Sequence, residues 1–223
     1  NSHSAVVWTP SGKQEFVMTI FGGSGASNFV YVLNLHTNVW SGTVTTTGTE
    51  PSVRYFHSTV VWTPSGVQVS MMTVFGGYDG SFYNDVHTLN LETNVWSGTV
   101  TTTGTPPSAR YRHTAVVWTS SGSQESMMTV FGGWDGSNRL NDVHTLNLET
   151  NVWSGTVTTT GTPPSARNGH SAVVWTPTET QGFVMTVFGG DDGSYRNDVH
   201  TLNLETNVWS GTVTTTGTKP IRR

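Results

Sequence analysis

Short runs of apolar residues recur along the chain, and four of them end in the same phenylalanine–glycine–glycine sequence. The four copies begin at Phe21, Phe75, Phe131 and Phe188, at intervals of 54, 56 and 57 residues. Each run is short and rich in β-branched and aromatic residues, which predicts a buried β-strand. The glycine pair predicts a strand end that needs a positive φ or a close backbone approach. A period of this length with glycine punctuation indicates a repeat architecture.

Every copy contains four segments that we predict to be strands, three of them mainly apolar and the fourth rich in threonine. We call them strands A to D in chain order. Strand A begins at a histidine and ends at a tryptophan, strand B ends at the glycine pair, and strand C alternates like Tyr31–Leu35. In the first copy, strand D begins at Trp40 and continues through the threonines to Thr47. Strand A is apolar on both faces, which suits an inner strand, whereas threonine-rich strand D suits an outer edge in water. Four such sheets arranged radially would form an all-β propeller of four blades.

The repeats divide the chain at about 1–54, 55–110, 111–167 and 168–223, and we expect one propeller domain over 1–223. Residues 84–110 and 141–167 are identical at all 27 positions, whereas the loops after the glycine pair differ between copies. Since each repeat buries its faces against its neighbours, strict repetition favours a single domain. Recent duplication and deliberate design would both produce this degree of identity.

Composition excludes several functional classes. The chain has 223 residues, only 11% of them charged, and its net charge of −4 gives no reason to expect a nucleic-acid partner. It contains no cysteine, which excludes disulfides, thiol nucleophiles and cysteine-based zinc sites. No apolar run reaches membrane-spanning length, so we expect no membrane partner. The sequence also gives no reason to expect a cofactor.

The repeats resemble the kelch family. The resemblance lies in Arg-x-x-His-Ser-x-x-Val, a strand ending in Gly-Gly, Asn-Asp-Val-x-x-Leu-x-Leu-x-Thr-x-x-Trp and Pro-Pro-Ser-Ala-Arg, and it covers essentially the whole chain. One departure is leucine where many kelch repeats have tyrosine seven residues before the tryptophan, at Leu33, Leu89, Leu146 and Leu202. The resemblance implies a propeller whose blades run from strand A outward to strand D. It implies protein or ligand binding as the common role, with enzymes in the minority.

Three arrangements fit a whole number of repeats. The chain closes as a four-bladed ring, two chains combine as an eight-bladed ring by self-association, or the chain is part of a longer array. An open arc of blades would expose apolar faces, so we expect it to associate.

Loop charges distinguish the two faces of the predicted propeller. The B–C and D–A loops, here called the B–C/D–A face, carry all eight arginines, Lys219 and eight acidic residues. The A–B and C–D loops carry Lys13 and six glutamates. Bidentate recognition of carboxylates by guanidinium is therefore expected only on the B–C/D–A face. Arg54, Arg110 and Arg167 recur once per repeat, as do Asp85, Asp142 and Asp198, so a framework Arg–Asp pair is the alternative interpretation.

Residues that do not recur are better candidates for ligand binding, since framework requirements would repeat. These candidates are Tyr55, Arg112 and Asn168 near the start of strand A, and Tyr78, Trp134 and Asp191 after the glycine pairs. In kelch propellers that bind peptides at the channel mouth, residues at these positions line the pocket. Trp134 is the one tryptophan outside the two repeated sets. It could stack on a sugar, a proline or a guanidinium, or it could fold over its own loop.

The recurring histidines at the start of strand A could in principle hold a metal, but burial with hydrogen bonds to loop backbone is the simpler interpretation, so we predict no metal site. The Asp-Gly-Ser loops resemble calcium-loop fragments, but turn chemistry accounts for them better. No hydrolase, P-loop or zinc-protease motif is present. Kelch-like copper oxidases depend on a cysteine-linked tyrosine, which this chain cannot form.

The preferred hypothesis is non-catalytic recognition of a protein segment, peptide or glycan at the B–C/D–A face. Arg112 and the repeated arginines would bind carboxylates, and Tyr55, Tyr78 and Trp134 would supply stacking area. A sugar-processing hydrolase or isomerase that uses Asp191, Asp192 or a histidine is the first alternative. A structural module without its own ligand is the second.

Overall fold

A computed structural model describes residues 2–23, 28–177 and 182–221, and among these residues it contains no helix. No helix of the described residues is therefore long and apolar enough to cross a membrane. The chain forms two compact units, Asn1–Thr102 with Ala109–Tyr111 (unit 1) and Thr103–Ser108 with Arg112–Arg223 (unit 2). Each unit contains two β-sheets. The single domain expected over 1–223 stays a prediction.

Every sheet corresponds to one repeat and is called a blade. Blade 1 consists of β1 (Ser4–Trp8), β2 (Val17–Phe21), β3 (Val30–Asn34) and β4 (Val39–Val44). Blade 2 consists of β5 (Thr47–Thr49), β6 (Ser58–Trp62), β7 (Met71–Tyr78), β8 (Phe82–Asn90) and β9 (Val95–Thr99). Blade 3 consists of β10 (Thr103–Thr105), β11 (Thr114–Thr119), β12 (Ser126–Trp134), β13 (Arg139–Asn147) and β14 (Val152–Thr156). Blade 4 consists of β15 (Thr160–Thr162), β16 (Ser171–Trp175), β17 (Val184–Asp191), β18 (Tyr195–Asn203) and β19 (Val208–Thr212).

Strands A to D of each repeat are neighbours in one antiparallel sheet, as the sequence predicts. In blade 2 the order is β6-β7-β8-β9, with Val60 opposite Thr73 and Met72 opposite Leu89. The tryptophan that ends strand A is held by its neighbour, since Trp62 donates from Nε1 to Thr73 Oγ1 at 2.9 Å. Fully buried Met72 and Leu89 belong to the core of unit 1. The alternating pattern therefore places the predicted apolar residues inside.

The glycine pair brings the backbone of the next blade close. A Cβ on Gly22, whose φ is 68°, would lie 2.7 Å from His57 Cε1 and 2.9 Å from the Arg54 carbonyl oxygen. The amide of Gly23 donates to that carbonyl at 3.1 Å. In unit 2, Gly132 meets the corresponding atoms of blade 4 at 2.9 Å. Both reasons that the sequence suggested for glycine, a positive φ and a close approach, are confirmed here.

The predicted extent of strand D was wrong. We expected strand D of the first copy to continue to Thr47, but β4 ends at Val44. Thr47–Thr49 form a separate strand, β5, which pairs in parallel with β9, strand D of the next blade. β10 pairs in the same way with β14, and β15 with β19. The short strand lies at the outer edge of the sheet and covers the D strand beneath it.

Consecutive blades within a unit pack through a buried phenylalanine that contacts two rings of the following blade. The ring of Phe21, which precedes the glycine pair of blade 1, lies 5.3 Å from His57 and 5.2 Å from Trp96 of blade 2. Phe131 of blade 3 makes the same contacts with blade 4, at 5.1 Å to His170 and 5.2 Å to Trp209. These rings are buried in the two hydrophobic cores. The repeated residues therefore form the framework of both units.

Candidate functional site

The start of strand A and the end of strand B meet at the B–C/D–A face. In blade 2, Tyr55 and Tyr78 exchange two backbone hydrogen bonds of 3.0 Å. In blade 4, Asn168 and Asp191 form the same bridge, at 3.0 and 2.9 Å. Four of the candidates selected from the sequence are thus adjacent in pairs, Tyr55 with Tyr78 and Asn168 with Asp191.

Unit 1 carries a continuous group of five aromatic rings at this face. We call it the aromatic cluster, and it consists of Tyr55, Phe56, Tyr78, Phe82 and Tyr111. Neighbouring centroids lie 4.9 to 5.7 Å apart, and Tyr78 contacts three of the other four rings. All five side chains are partly exposed. Aromatic groups in such tilted and edge-on contacts stabilise one another and still offer apolar surface to a ligand.

Unit 2 carries a more polar group, which we call the polar cluster and which consists of Trp134, Arg139, Asn168 and Asp191. The guanidinium of Arg139 lies 5.6 Å from the centroid of the Trp134 ring, within the range of a cation–π contact. Its Nη2 donates to both carboxylate oxygens of Asp191, at 3.1 and 3.3 Å. The Gly193 amide, and then Arg139, lower the pKa of the Asp191 carboxyl. Trp134 is partly buried and paired with a cation of its own protein.

Four positions at the B–C/D–A face of each blade, here called the rim, vary between blades, whereas the framework residues repeat. The strand registers make the two residues at the start of strand A, the residue after the glycine pair and its partner on strand C equivalent between blades. In blade 2 these positions hold Tyr55, Phe56, Tyr78 and Phe82; in blade 3 Tyr111, Arg112, Trp134 and Arg139; in blade 4 Asn168, Gly169, Asp191 and Tyr195. All four residues are aromatic in blade 2, two are aromatic and two are cationic in blade 3, and only one is aromatic in blade 4.

One of these positions has an unusual backbone. Phe56 and Arg112 have φ of 57° and 55°, where Gly169 of blade 4 has 64°. For residues other than glycine this conformation costs about 1–2 kcal/mol. The Phe56 amide donates to the Ser2 carbonyl at 3.0 Å, and the Gly169 amide donates to the Arg112 carbonyl at 2.9 Å. The strained turn thus links each blade to the preceding blade of its unit, and it holds exposed Arg112 at this face.

The repeated arginines Arg54, Arg110 and Arg167 lie inside the blades. All three side chains are at most 1% exposed. Arg54 makes a two-pronged contact with Asp85, at 2.6 and 2.9 Å, and donates to the Gly76 carbonyl at 3.0 Å. Arg167 is bound in the same way to Asp198, at 2.7 and 2.9 Å. For these two residues the framework interpretation is confirmed, and burial removes all three arginines from the surface that a ligand would contact.

The aspartate of each buried Arg–Asp pair also contacts a buried histidine. His87 Nε2 lies 2.9 Å from Asp85, and His144 and His200 make the same contact with Asp142 and Asp198. Burial would raise the pKa of Asp85, but hydrogen bonds from Arg54 and His87 outweigh it and lower the pKa well below its usual value. The hydrogen bond from Arg167 likewise lowers the pKa of Asp198 to about 2. The carboxylates therefore stay ionised inside the blades.

Two of the histidines at the start of strand A, His57 and His170, lie at the interface with the preceding blade of their unit. His57 Nε2 is hydrogen bonded to Ser4 Oγ at 2.6 Å, and His170 Nε2 to Thr114 Oγ1 at 2.9 Å. Burial lowers the pKa of each histidine from 6.5 to about 3, and a nearby arginine adds to the shift. Across the described parts of the chain, no three histidine or acidic side chains group closely enough to hold a metal ion.

The adjacent carboxylates Asp191 and Asp192 do not have the electrostatics of a hydrolase pair. Asp192 pairs with Arg196 at 2.7 Å and accepts a hydrogen bond from Ser165 Oγ at 2.5 Å. The hydrogen bond from Arg196 lowers the pKa of Asp192, and that of Asp191 is lowered as well. A glycosidase needs one carboxyl whose pKa is raised so that it can donate a proton. Both groups are held in the ionised form, so this pair offers no general acid.

Phe56, Phe82, Tyr111 and Arg139 belong to the two clusters but were not among the candidates predicted from the sequence. Tyr111 occupies the position equivalent to Tyr55, and Phe56 the position equivalent to Arg112, so the spacing that selected two of these positions could have found the others. Phe82 and Arg139 lie opposite Tyr78 and Trp134 on strand C. Loops of unequal length after the glycine pair hide that register from sequence reasoning.

Four antiparallel blades with these repeated contacts define an all-β propeller, and comparison with known proteins gives its family. The sequence model of the KLHDC2/KLHL20/DRC7 Kelch-repeats domain matches residues 2–223. The chain therefore belongs to the kelch-repeat β-propeller family. Members of this family are generally protein-binding scaffolds and typically have no enzymatic activity.

Individual relatives match most of this chain. Mouse Kelch domain-containing protein 1 is 30% identical over 222 residues, which are 85% of this chain and 50% of that protein. Acyl-CoA-binding domain-containing protein 5 of Arabidopsis thaliana is 33% identical over 81% of this chain and 25% of its own length. The bovine Rab9 effector protein with kelch motifs is 34% identical over 75% of this chain and 44% of its own length. The chain thus spans half or less of the length of these relatives.

Proposed function

We propose that this protein is a binding module which recognises a protein segment through the aromatic cluster at the B–C/D–A face. The observation that carries the proposal is the contrast between invariant framework and varied rim. The arginine, histidine and aspartate residues inside blades 2 to 4 repeat, whereas the rim positions vary among these blades, apart from the tyrosine shared by Tyr55 and Tyr111. A framework requirement would have kept the rim residues alike, so their variation indicates selection for a particular ligand surface.

The chemistry of the aromatic cluster suits a peptide better than a charged small molecule. Five partly exposed rings in mutual contact present an apolar surface with three tyrosine hydroxyl groups. Tyrosine is enriched at the energetic centres of protein interfaces because it buries a large apolar area and loses little conformational entropy. Arg112, which is exposed and follows Tyr111 directly, would add a cation beside this surface. We therefore expect ligands with apolar or proline-containing segments flanked by acidic residues.

The relatives are consistent with a protein ligand. One of them is described as an effector of Rab9, a role defined by binding another protein. The rim residues of this chain would set its own specificity, and the identity of its partner does not follow from that relative. A glycan ligand is the remaining alternative for the same rings, because sugars also stack on tyrosine and tryptophan.

The test is selection of ligands on the immobilised chain from a displayed library of random twelve-residue peptides. We expect selected peptides to lose at least tenfold in affinity when Tyr78 or Tyr111 is replaced by alanine. Lys13→Ala on the opposite face is the matched control and should change affinity less than twofold. A glycan array probed with the same variants forms the second arm. Peptides whose affinity is indifferent to both tyrosine substitutions, or binding confined to glycans, would contradict the proposal.

A further inference from the structure

One rim position has the same backbone conformation in all four blades. It is the second residue at the start of strand A, and it holds Ser2, Phe56, Arg112 and Gly169 in blades 1 to 4. Their φ angles are 68°, 57°, 55° and 64°. Because four different residues adopt this conformation, the framework imposes it. We call this position the left-handed rim position.

The framework uses the backbone of this position and does not need its side chain. In unit 1 the Phe56 amide donates to the Ser2 carbonyl at 3.0 Å, and in unit 2 the Gly169 amide donates to the Arg112 carbonyl at 2.9 Å. Glycine therefore makes the link between blades as well as phenylalanine does. A Cβ built on Gly169 has nothing within 4 Å, so blade 4 packs no side chain there. Glycine is thus sufficient for the fold at this position.

Glycine is also the residue of lowest conformational energy at the left-handed rim position. At a positive φ a Cβ comes too close to the neighbouring carbonyl oxygen, whereas glycine adopts this conformation without a steric cost. A bulky residue at a positive φ is an outlier. Phe56 and Arg112 therefore lower the stability of the fold relative to glycine, so a requirement other than stability must favour them.

Elsewhere in the described structure, residues other than glycine that have a positive φ have a local reason for it. The asparagine of the C–D turn has a φ of 58° or 59° in every blade, at Asn38, Asn94, Asn151 and Asn207. Asparagine tolerates this conformation better than most residues. Gln124, at 58°, donates from Nε2 to the Ser121 carbonyl at 3.1 Å within its own loop. Neither reason applies to Phe56, whose side chain has no hydrogen-bonding group.

The side chains at this position lie at the B–C/D–A face. The ring of Phe56 is partly exposed and contacts Tyr55 at 5.4 Å and Tyr111 at 5.7 Å, both of them in the aromatic cluster. Arg112 is exposed at the rim of unit 2. Phe56 thus enlarges the apolar surface of unit 1, and Arg112 adds a permanent positive charge to the rim of unit 2.

We propose that Phe56 and Arg112 are specificity-determining residues, which occupy the left-handed rim position for the sake of the ligand and at a cost in stability. This inference rests on the proposed function. Phe56 selects an apolar or aromatic residue of the bound protein segment, and Arg112 selects a carboxylate, which its guanidinium can bind with two parallel hydrogen bonds. Replacement of Arg112 by glycine should therefore stabilise the chain and remove the preference for acidic residues.

The first test measures stability without any ligand. Arg112→Gly should raise the melting temperature by about 3 °C, because relief of the strain outweighs the greater freedom of glycine in the unfolded chain. Arg112→Ala removes the same charge but keeps the Cβ, so it should not raise the melting temperature. Gly169→Ala introduces the strain at the equivalent position of blade 4 and should lower the melting temperature by about 3 °C.

The second test measures specificity at Arg112. The library of random twelve-residue peptides is selected separately on the unmodified chain, on Arg112→Gly and on Arg112→Lys, and the selected pools are sequenced. On the unmodified chain the share of aspartate and glutamate should rise to at least about twice that of the unselected library. On Arg112→Gly it should fall back to the library value, and Arg112→Lys, which keeps the charge, should retain most of the enrichment.

The third test measures affinity at Phe56. Peptides selected on the unmodified chain should lose at least about fivefold in affinity for Phe56→Gly, because the apolar surface becomes smaller. Phe56→Tyr keeps the ring and should change the affinity less than about twofold. Asn94→Gly, which has the same backbone conformation on the opposite face, is the matched control and should also change it less than about twofold.

Two results would overturn this inference and leave the proposed function intact. If peptides lost affinity with Tyr78→Ala but not with Phe56→Gly, or if the acidic share of the pools were unchanged by Arg112→Gly, recognition would not depend on the left-handed rim position. If Arg112→Gly were no more stable than Arg112→Ala, the position would not be strained. Peptides indifferent to the tyrosine substitutions would instead contradict the proposed function itself, so the two failures are distinguishable.

Discussion

The interior of blade 2 and the rim of unit 2 each contain an arginine that pairs with an aspartate, but the two pairs differ in burial and in repetition. Arg54 is fully buried against Asp85 and recurs in the following repeats as Arg110 and Arg167. Arg139 and Asp191 are each about one third exposed, and neither occurs at the equivalent position of another repeat. The same chemical pair therefore stabilises the framework in one place and shapes a variable surface in the other.

The difference shows how a repeat protein separates stability from specificity. A buried guanidinium must have all its donors satisfied, which ties it to one geometry and makes it recur. A pair at the surface is screened by water and contributes little to stability, so the residues there can change. Loss of a framework residue should therefore affect folding, and loss of a rim residue should affect binding.

The largest expected effect is that of Arg54→Ala. It leaves the Asp85 carboxylate and the Gly76 carbonyl without their donor in a buried site, which should lower the free energy of unfolding by about 3–5 kcal/mol. Arg139→Ala should lower it by about 1 kcal/mol or less, because this pair is exposed. Urea unfolding of both variants measures the two losses. Equal losses of unfolding free energy in the two variants would contradict the distinction between framework and rim residues.

The next effect concerns the glycines of the short parallel strands β5, β10 and β15. Gly48→Ala places a Cβ against the Trp96 carbonyl and adds the strain of a positive φ, so we expect a loss of about 2–3 kcal/mol. Gly66→Ala has the same backbone strain but open space, and it should cost about 1 kcal/mol. The difference between the two urea midpoints isolates the close approach. If Gly48→Ala lowered stability as little as Gly66→Ala, β5 would not lie against β9 as described.

Acid should weaken the framework through the interface histidines. Because burial lowers the pKa of His57 and His170 from 6.5 to about 3, the unfolded chain binds their protons first as the pH falls. The stability that depends on neutral histidine is fully present above pH 6.5 and is lost as the pH falls towards 3. Between pH 7 and pH 5 the loss should be about 2 kcal/mol for each histidine.

Urea unfolding at pH 7 and pH 5 measures this loss, with His57→Gln as the comparison. The variant should be less stable than the unmodified protein at pH 7 and should lose about 2 kcal/mol less between the two pH values. Asp85 and Asp198 titrate below this window, since their pKa values are lowered from 3.8. A variant with the same pH dependence as the unmodified protein would show that His57 is not buried in its neutral form.

The smallest expected effect on stability is that of Tyr78→Ala. Its ring is partly exposed and contacts three other rings, so its removal should cost about 1 kcal/mol. The same substitution should nevertheless abolish most binding of the selected peptides. Thermal unfolding and peptide titration of one sample make the comparison. A large loss of stability with unchanged binding would place Tyr78 in the framework.

Much of the fold could be predicted from the sequence, because the same signals occur four times. The glycine pair, the alternating strand C and the repeated tryptophans gave four antiparallel strands per repeat. The end of strand D was missed because threonine favours strand geometry equally before and after the break, from Thr43 to Thr49. The chain leaves blade 1 and joins the sheet of blade 2 where Gly48 lies against the backbone of Trp96. These two residues are 48 positions apart in the sequence, so the local pattern does not show their contact.

The rim could be predicted only in part. Tyr55 and Tyr78 were selected as residues that differ between repeats, although Tyr111 repeats Tyr55, and the two are adjacent. Phe56 and Phe82 were missed, since a positive φ at Phe56 and the strand register at Phe82 bring them into the cluster. The sequence left two interpretations for the repeated arginines, ligand binding and a framework Arg–Asp pair. Their burial in the structure favours the framework role.

Hydrogen–deuterium exchange of the full chain, with and without a peptide selected from the library, tests the central claim most directly. We expect slower exchange on peptide binding in segments 55–57, 78–83 and 109–112, which carry the aromatic cluster. We expect unchanged exchange in the turns of the opposite face at 10–15 and 91–94. Protection confined to those turns, or to the edge of β4, would contradict the assignment of recognition to the varied rim.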